Sequence, residues 1–420
     1  MMEQRGKLLL ATFAVAIAVL VGRLYYIQVT CGPALSAAAE GQQIVPVIYP
    51  YSRGIIYDRN MNKLTNTSEE YYYLVAKENC TAEFEELIGH IGGKKAGTKG
   101  DSYEVYHVDW FQATINGLLR EKFGAYGFSI SSRYADEQVA AHLIGYVNES
   151  DGVGASGLEK MYEQQLNCDK SAANLSGDGA GSVLAGVGLN AVGGETESPA
   201  GLVTTIDRDL QLAVENVFAQ HQVSGTTIIA DTTTGQILTM VSSPIYNPNA
   251  LEAYLNNESS ELVNRAVQCQ YPVGPMKDVI KQVASLGRIS LMETAKGLGL
   301  GQCVWENFPD EAAGSLRPME VTPVQVCQMV VTLTNGGEEI PLSIVMHAAK
   351  EDAVDCLTFS NEKGESLERI LRDEPVIGAG WAVGCCQNYA VVVYAEDVPK
   401  RAKKIYQQIQ GVIEGMTEIQ

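Results

Sequence analysis

The sequence lacks the residue patterns that mark metal centres and nucleic-acid-binding surfaces. Its nine cysteines form no C-x-x-C pair and no Cys/His group with metal-ligand spacing, so neither a metal site nor a cofactor is expected. Basic residues are scarce, 30 against 50 acidic ones, and the net charge of −20 argues against nucleic acid as a partner. A hydrophobic content of 46% in 420 residues argues against a disordered chain and suits two or three domains.

An apolar run near the N-terminus predicts a membrane anchor. Residues 8–29 would form a helix of roughly 33 Å at about 1.5 Å per residue, which is enough to span a bilayer. Arg5 and Lys7 precede the run, so residues 1–7 are expected in the cytoplasm and the main body outside the cell membrane. A cleaved signal peptide is the alternative, because the uninterrupted apolar stretch is short and Ala37–Ala39 offers a weak cleavage context.

Residues 40–200 are predicted to form a β-rich domain that also contains helices. β-prone residues occur along 44–75, and 80–125 combines helical periods with a polar loop at 92–100. A block directly after the anchor resembles the R-G-x-I-x-D-R-N signature of class B penicillin-binding proteins. It reads Arg53-Gly54-Ile55-Ile56-Tyr57-Asp58-Arg59-Asn60.

The family resemblance implies a structural role for this block, in which the Arg and Asp tie strands of the N-terminal pedestal together. The family normally has glycine after the final asparagine, whereas Met61 stands here. Asn62 is expected to take the left-handed turn position instead. No catalytic role is predicted for Arg53, Gly54, Asp58, Arg59 or Asn60.

Two further stretches resemble the same family. Residues 127–166 resemble the run that joins the pedestal to the catalytic domain, and His142 in it is predicted to be a structural histidine. Residues 201–211 resemble the L-T-I-D-x-x-L-Q entry to the transpeptidase domain, with a helix predicted to begin near Asp207. Later residues predict a hairpin over 225–241, paired strands near 380–394 and a terminal helix over 399–415.

The segment 264–287 resembles the family's active-site entry but lacks its nucleophile. In the family an N-R-A element is followed by Y-x-P-G-S-x-x-K, where the serine is acylated and the lysine handles its proton. Here Lys277 is present, but Gly274 occupies the serine position. Pro275 is placed for the first helical turn, and Met276, Val279, Ile280 and Val283 predict a buried helix face.

The other two catalytic elements of the family are also missing. No S-x-N occurs in the chain, and the interval where it belongs, between Ala284 and Ala295, is too short for the helical subdomain that carries it. No K-T-G or K-S-G precedes Trp381. One S-x-x-K string, Ser360 to Lys363, lies in a polar segment and is interpreted as a chance match. Lys277 is therefore predicted to be a helix-surface lysine or a solvated remnant at the mouth of a collapsed groove, and Gly274 and Lys277 are vestigial positions.

The resemblance implies an α+β multidomain protein of bacterial cell-wall synthesis. We expect a cytoplasmic N-terminus (1–7), a transmembrane anchor (8–29), a pedestal or dimerisation-like domain (40–200) and a reduced transpeptidase-like α/β domain (201–420). The family cross-links peptidoglycan as a serine-type D,D-transpeptidase, binds β-lactams covalently, and works with a SEDS-type polymerase in elongation, division or sporulation. Binding of peptidoglycan stem peptides is a further expectation from the resemblance.

Three interpretations of the protein's function are consistent with these observations. A pseudoenzyme that acts as a scaffold or regulatory partner fits the joint loss of three catalytic elements beside an intact Arg53–Asn60 block. An active D,D-transpeptidase or carboxypeptidase would need relocated catalytic groups. A decaying gene is disfavoured because the hydrophobic periodicity persists to Ile413.

Overall fold

The chain forms two compact units, which are described separately. The smaller contains Met1–Pro50, Glu69–Ile130 and Lys170–Thr196, and the larger contains Tyr51–Ser68, Ser131–Asp169 and Glu197–Gln420. The structure is a computed structural model. It describes residues 2–31, 44–46, 53–99, 103–148, 152–167, 172–176, 190–192, 201–255, 260–305, 307–346, 354–355, 367, 369–372, 374–396, 398 and 400–417.

The smaller unit begins with a long helix and is otherwise an α/β layer. Its elements are α1 (Met2–Tyr25), which continues as a π-helical turn over Tyr26–Thr30, β1 (Ile44–Pro46), β3 (Ser68–Ala76), α2 (Ala82–Gly89), β4 (Lys94–Lys99), β5 (Tyr103–Val108), α3 (Ala113–Phe123), β6 (Tyr126–Ser132), β7 (Ala172–Ser176) and β8 (Asn190–Val192). The described part of the chain contains no helix that is long and apolar enough to cross a membrane. The anchor over 8–29 therefore stays a prediction.

The main sheet of the smaller unit has the strand order β4-β5-β3-β6. Helices α2 and α3 supply the aromatic and aliphatic side chains that pack with one face of it. The predicted loop at 92–100 is wrong in part, because Lys94–Lys99 forms the outer strand β4 and pairs antiparallel with β5. An outer strand tolerates the lysines and the glycine that suggested a loop, since exposed lysines blunt a free sheet edge.

The larger unit contains the remaining elements. They are β2 (Ile56–Tyr57), α4 (Ala141–Ile144), α5 (Gly157–Met161), α6 (Glu163–Leu166), β9 (Leu202–Val203), α7 (Arg208–His221), β10 (Gly225–Asp231), β11 (Ile237–Ser243), α8 (Glu252–Leu255), β12 (Tyr271–Pro272), α9 (Met276–Gly287), α10 (Leu291–Gly297), β13 (Ser315–Leu316), β14 (Met319–Val321), α11 (Pro323–Thr334), β15 (Glu338–Glu339), β16 (Val354–Asp355), β17 (Val376–Gly378), β18 (Trp381–Cys386), β19 (Tyr389–Ala395) and α12 (Arg401–Thr417).

An antiparallel sheet with the order β11-β10-β19-β18-β17 organises the larger unit. Helices α7 and α12 pack with residues of one face, and α9 and α11 contribute to the core on the other. The predicted hairpin, the paired strands and the terminal helix are all present. Asp207 caps α7 by accepting hydrogen bonds from the backbone of Asp209 and Leu210, which confirms the predicted helix start.

The two compact units do not divide at the predicted boundary between residues 200 and 201. Tyr51–Ser68 and Ser131–Asp169, which the sequence grouped with the pedestal, belong to the larger unit. The physical reason is burial. Ile56, Leu64 and Leu158 are part of the same hydrophobic core as the α9 and α11 residues, and β2 pairs in parallel with β9.

The turn after Asp58 places Met61 in a strained conformation. The buried Asp58 carboxylate accepts hydrogen bonds from the backbone N–H groups of Asn60 (2.8 Å) and Asn62 (2.7 Å) and from the Asn62 side chain. This bonding fixes the turn, and Met61 rather than Asn62 takes the left-handed conformation, with φ of 64°. The prediction for Asn62 is therefore wrong, because Asn62 is held by its two bonds to Asp58.

Replacement of Met61 by glycine is expected to raise the free energy of unfolding by about 0.5–1 kcal/mol, because glycine adopts this φ without a Cβ clash. The Met61 side chain is 60% exposed, so little packing is lost. Chemical denaturation measures the change. Met61→Ala keeps the Cβ and is the matched control, and equal gains in the two variants would show that backbone strain is not the cause.

Candidate functional site

The candidate site lies where β12 runs into α9. Val273 donates its N–H to the Met319 carbonyl at 3.1 Å, which ties the chain to β14 just before the turn. Gly274 then adopts φ of 52°, and Pro275 precedes the first residue of α9. Met276, Val279, Ile280 and Val283 are buried, as the sequence predicted. Lys277 is exposed one turn after Gly274, which agrees with a helix-surface lysine.

The position of the family's nucleophile is closed by the turn between β17 and β18. A Cβ at position 274 would lie 3.2 Å from the Ala379 Cβ and 3.2 Å from Cδ1 of Trp381. Such contacts are tighter than side chains normally accept, and the positive φ adds strain for any residue other than glycine. Glycine therefore suits position 274, and a larger residue there would be strained and would need Ala379 and Trp381 to shift by a few tenths of an ångström.

An aromatic cluster fills the space beside Gly274. Trp381 is fully buried and donates its indole N–H to the Pro272 carbonyl at 2.9 Å. Its ring lies 4.6 Å from that of Tyr394, and the rings of Tyr394 and Tyr271 lie 3.9 Å apart. The Tyr271 hydroxyl donates to Glu396 at 2.6 Å. Burial first, and Glu396 second, raise the pKa of Tyr271, so its phenol stays protonated.

The two elements that carry the S-x-N and K-T-G motifs in the family lack those motifs here. Only Arg288, Ile289 and Ser290 separate α9 from α10, which leaves no room for an S-x-N helical subdomain. The outer strand β17 reads Val376-Ile377-Gly378 and contains no lysine. Ser360 and Lys363 lie outside the described residues. Around Gly274, the described residues offer no hydroxyl within the S-x-x-K spacing that Lys277 could activate.

The Arg53–Asn60 block contributes to a polar cluster that is built around the buried carboxylate of Glu159. Arg53 donates to Glu159 at 2.9 Å and to Glu163 at 2.8 Å, and Arg133 donates to the other Glu159 oxygen at 2.7 Å. Burial opposes the charge of Arg53. Its hydrogen bond to Glu163 and the charges of both glutamates outweigh burial, so the pKa of Arg53 is raised.

This block does tie segments together, although not those of the smaller unit. Gly54 donates its N–H to the Leu166 carbonyl, and Arg59 donates its N–H to the Ile206 carbonyl at 2.9 Å. The block thus links Tyr51–Ser68 to two other parts of the larger unit. Its geometry is that of a structural joint, because the Arg53 guanidinium is bonded to the Glu159 and Glu163 carboxylates and to the backbone carbonyls of Gly152 and Glu159.

His142 is a structural histidine, as predicted. Its Nε2 lies 2.6 Å from the Glu261 carbonyl, and its ring contacts that of Tyr246 edge-on at 4.9 Å. Burial lowers the pKa of His142 to about 4, so the ring is neutral at physiological pH. The residues that sequence reasoning missed are Glu159 and Ala379. Glu159 stood within a matched motif and could have been found by asking which acid pairs with Arg53.

These observations define an α/β domain in which glycine stands at the position predicted for the nucleophile. No protein-family model matches the chain. The peptidoglycan D,D-transpeptidase MrdA of Acinetobacter baumannii is 24% identical over 327 residues, which are 67% of this chain and 47% of MrdA. The probable peptidoglycan D,D-transpeptidase PenA of Neisseria gonorrhoeae is 22% identical over 439 residues, covering 83% of this chain and 74% of PenA. The chain spans about half the length of the first of these relatives.

Solved structures show the same fold. A chain of a peptidoglycan synthase complex that coordinates polymerization and crosslinking has a TM-score of 0.66 at 17% identity, covering 96% of this chain and 97% of its own. PBP2 of Helicobacter pylori, in its complex with MreC, has a TM-score of 0.59 at 15% identity, covering 86% and 98%. The chain is thus similar in sequence to class B penicillin-binding proteins at modest identity, and it shares their fold.

Proposed function

We propose that this protein is a catalytically inactive member of its family that serves peptidoglycan synthesis as a scaffold or regulatory partner. The observation that carries the proposal is the packing at Gly274. The turn that contains Ala379 and the ring of Trp381 occupy the space where a nucleophilic side chain would stand. Three elements together lack the catalytic motifs. The turn before α9 has glycine in place of serine, the α9–α10 connection is too short for the S-x-N subdomain, and β17 contains no lysine.

A membrane-anchored scaffold also fits the N-terminal helix. Large apolar side chains of α1 are exposed along its described part, among them Phe13, Leu20 and Leu24. Transfer of such side chains from water into a bilayer is favourable. We propose that the body lies on the extracytoplasmic side of the cell membrane with the N-terminus in the cytoplasm, because Arg5 and Lys7 precede the apolar run.

The partners that suit this role are other cell-wall synthesis proteins, first of all a SEDS-type polymerase. Relatives of the fold occur in a synthase complex and in a complex with MreC, which supports assembly as a shared use of this architecture. Affinity capture of the full-length protein from solubilised membranes tests this. A form lacking the first 31 residues is the control, and recovery of no cell-wall synthesis protein by the full-length form would contradict the proposal.

Fluorescent penicillin is expected to leave the full-length protein unlabelled, and Gly274→Ser is expected to stay unlabelled as well. A serine at 274 would be strained and would still lack the S-x-N and K-T-G partners. Gel fluorescence of solubilised membranes measures labelling, with an active class B penicillin-binding protein as the positive control.

The outcome that would overturn inactivity is a stoichiometric serine adduct located by mass spectrometry. Such an adduct would favour the alternative function, an active D,D-transpeptidase or carboxypeptidase with relocated catalytic groups. Labelling of Gly274→Ser alone would show that the space beside position 274 opens to the ligand and that only the hydroxyl is missing.

A further inference from the structure

A buried carboxyl group lies outside the candidate site, on helix α7. The side chain of Glu215 accepts a hydrogen bond from the backbone N–H of Ala140 at 2.9 Å and another from the Gln211 amide at 2.8 Å, both through Oε1. Glu215 is only 7% exposed. It therefore joins α7 to the segment Ala140–Gly145, which contains α4.

Gln211 extends this connection to the edge of the five-stranded sheet. Its Oε1 accepts the N–H of Met240 at 2.8 Å, and its Nε2 donates to the Met240 carbonyl at 3.0 Å. Met240 belongs to β11, the outermost strand. The Gln211 amide thus pairs with the free edge of β11 as a neighbouring strand would, and Glu215 connects that pairing to Ala140.

The charged groups on the elements that surround Glu215 bind partners other than Glu215. On the segment that precedes α4, Arg133 and Tyr134 bond to Glu159, and Asp136 and Glu137 are exposed. Within α4, His142 bonds to the Glu261 carbonyl. Strand β11 contains no titratable residue.

The ends of α7 and the helix α12, which packs beside it, are likewise occupied elsewhere. Asp207 caps the start of α7, and His221 at its end contacts Gln408. On α12, Arg401 donates to the His221 carbonyl, and Lys403 and Lys404 are exposed. Glu414 lies near Cys386, where its charge adds to the effect of burial in raising the pKa of that thiol. Glu215 thus has neutral hydrogen-bond partners and no cation among the described residues.

We propose that Glu215 is a pH-dependent latch that holds the Ala140–Gly145 segment against α7 when protonated and releases it when ionised. A buried carboxylate without a cation is costly, so ionisation of Glu215 makes opening of the segment, which lets water reach the carboxylate, less unfavourable. The segment is also poised to open, because Ala140 is held at φ of 55°, a conformation that alanine disfavours.

The direction of the pH dependence follows from linkage. Burial raises the pKa of Glu215 to about 7, from an ordinary value of 4.5. Between these values the closed state binds more protons than the open state, so the closed state loses stability as pH rises and the loss is complete above about pH 7. For such a shift, the opening equilibrium should rise roughly fifty- to a hundredfold between pH 5 and pH 8.

Hydrogen exchange of the full-length protein in detergent, read by mass spectrometry and corrected for the intrinsic pH dependence of exchange, tests the latch. Peptides that cover Ala140–Gly145 should lose protection from pH 5 to pH 8 in the wild type. Glu215→Gln keeps the acceptor oxygen without the charge and should remain protected at every pH. Glu215→Met removes both and should be less protected, without pH dependence. Asp209→Asn, an exposed acid on the same helix, should behave as the wild type.

Two results would overturn the proposal. The first is corrected protection in the wild type that does not change between pH 5 and pH 8. The second is a pH dependence that persists in Glu215→Gln, or one that Asp209→Asn removes, since either would assign the titration to another group.

Discussion

Replacement of Glu159 by alanine is expected to lower the free energy of unfolding by about 3–5 kcal/mol, the largest loss for any single change to a polar residue proposed for this chain. The substitution leaves Arg53 without its main carboxylate in a fully buried site, while Arg133 loses the same partner. Glu163 still contacts Arg53, so one ion pair survives. Loss of one member of a buried network costs more than its formation contributes, because the remaining charges stay desolvated.

Chemical denaturation followed by circular dichroism measures this loss. Asp278→Ala is the control, because it breaks the Asp278–Lys281 pair. That pair also joins a carboxylate to a cation, at 2.8 Å, but it is exposed to solvent. Exposed pairs contribute little, so no measurable change is expected there. A Glu159→Ala variant as stable as this control would mean that water reaches the cluster and that the block is not a structural joint.

Trp381→Ala is expected to cost about 3–5 kcal/mol as well, for a different reason. The indole is fully buried against Tyr394 and Tyr271, and its removal leaves a cavity and an unpaired Pro272 carbonyl. The same cavity opens the space beside Gly274. The variant should nevertheless remain unlabelled by fluorescent penicillin, because the opened space contains no nucleophile.

The control for Trp381 is Trp110→Ala, since Trp110 is 50% exposed and its loss should change stability by no more than about 0.5 kcal/mol. Trp381→Phe separates packing from hydrogen bonding, because it keeps an aromatic ring but removes the indole N–H. Its expected cost lies between those of the two alanine variants. Equal losses for Trp381→Ala and Trp110→Ala would contradict the closed packing around Gly274.

Much of the larger unit could be predicted from local pattern. Two β-rich runs on either side of Thr232–Thr234 located the hairpin of β10 and β11, and Asp207 located the start of α7, because both features are set by residues close in sequence. The strand β4 could not be predicted in this way. Its pairing with β5 is a tertiary contact that overrides the loop-like composition of Lys94–Lys99.

The site could be predicted in outline but not in its packing. The spacing of Gly274 and Lys277 indicated the lost nucleophile, and helical periodicity indicated that Lys277 faces solvent. That Ala379 and Trp381 close the position depends on contacts across more than 100 residues of sequence, which no local pattern contains. Glu215 was missed for a similar reason, because its partner Ala140 lies in another segment.

The contact between Gly274 and the turn of Gly378, Ala379 and Gly380 makes two positions dependent on each other. A side chain at 274 would require Ala379 and Trp381 to shift, and Trp381 is fully buried and bonded to the Pro272 carbonyl. Either change alone is therefore unfavourable. A side chain at position 274 is therefore expected to be tolerated best together with a compensating change in the Gly378–Gly380 turn, so the two positions should be varied as a pair.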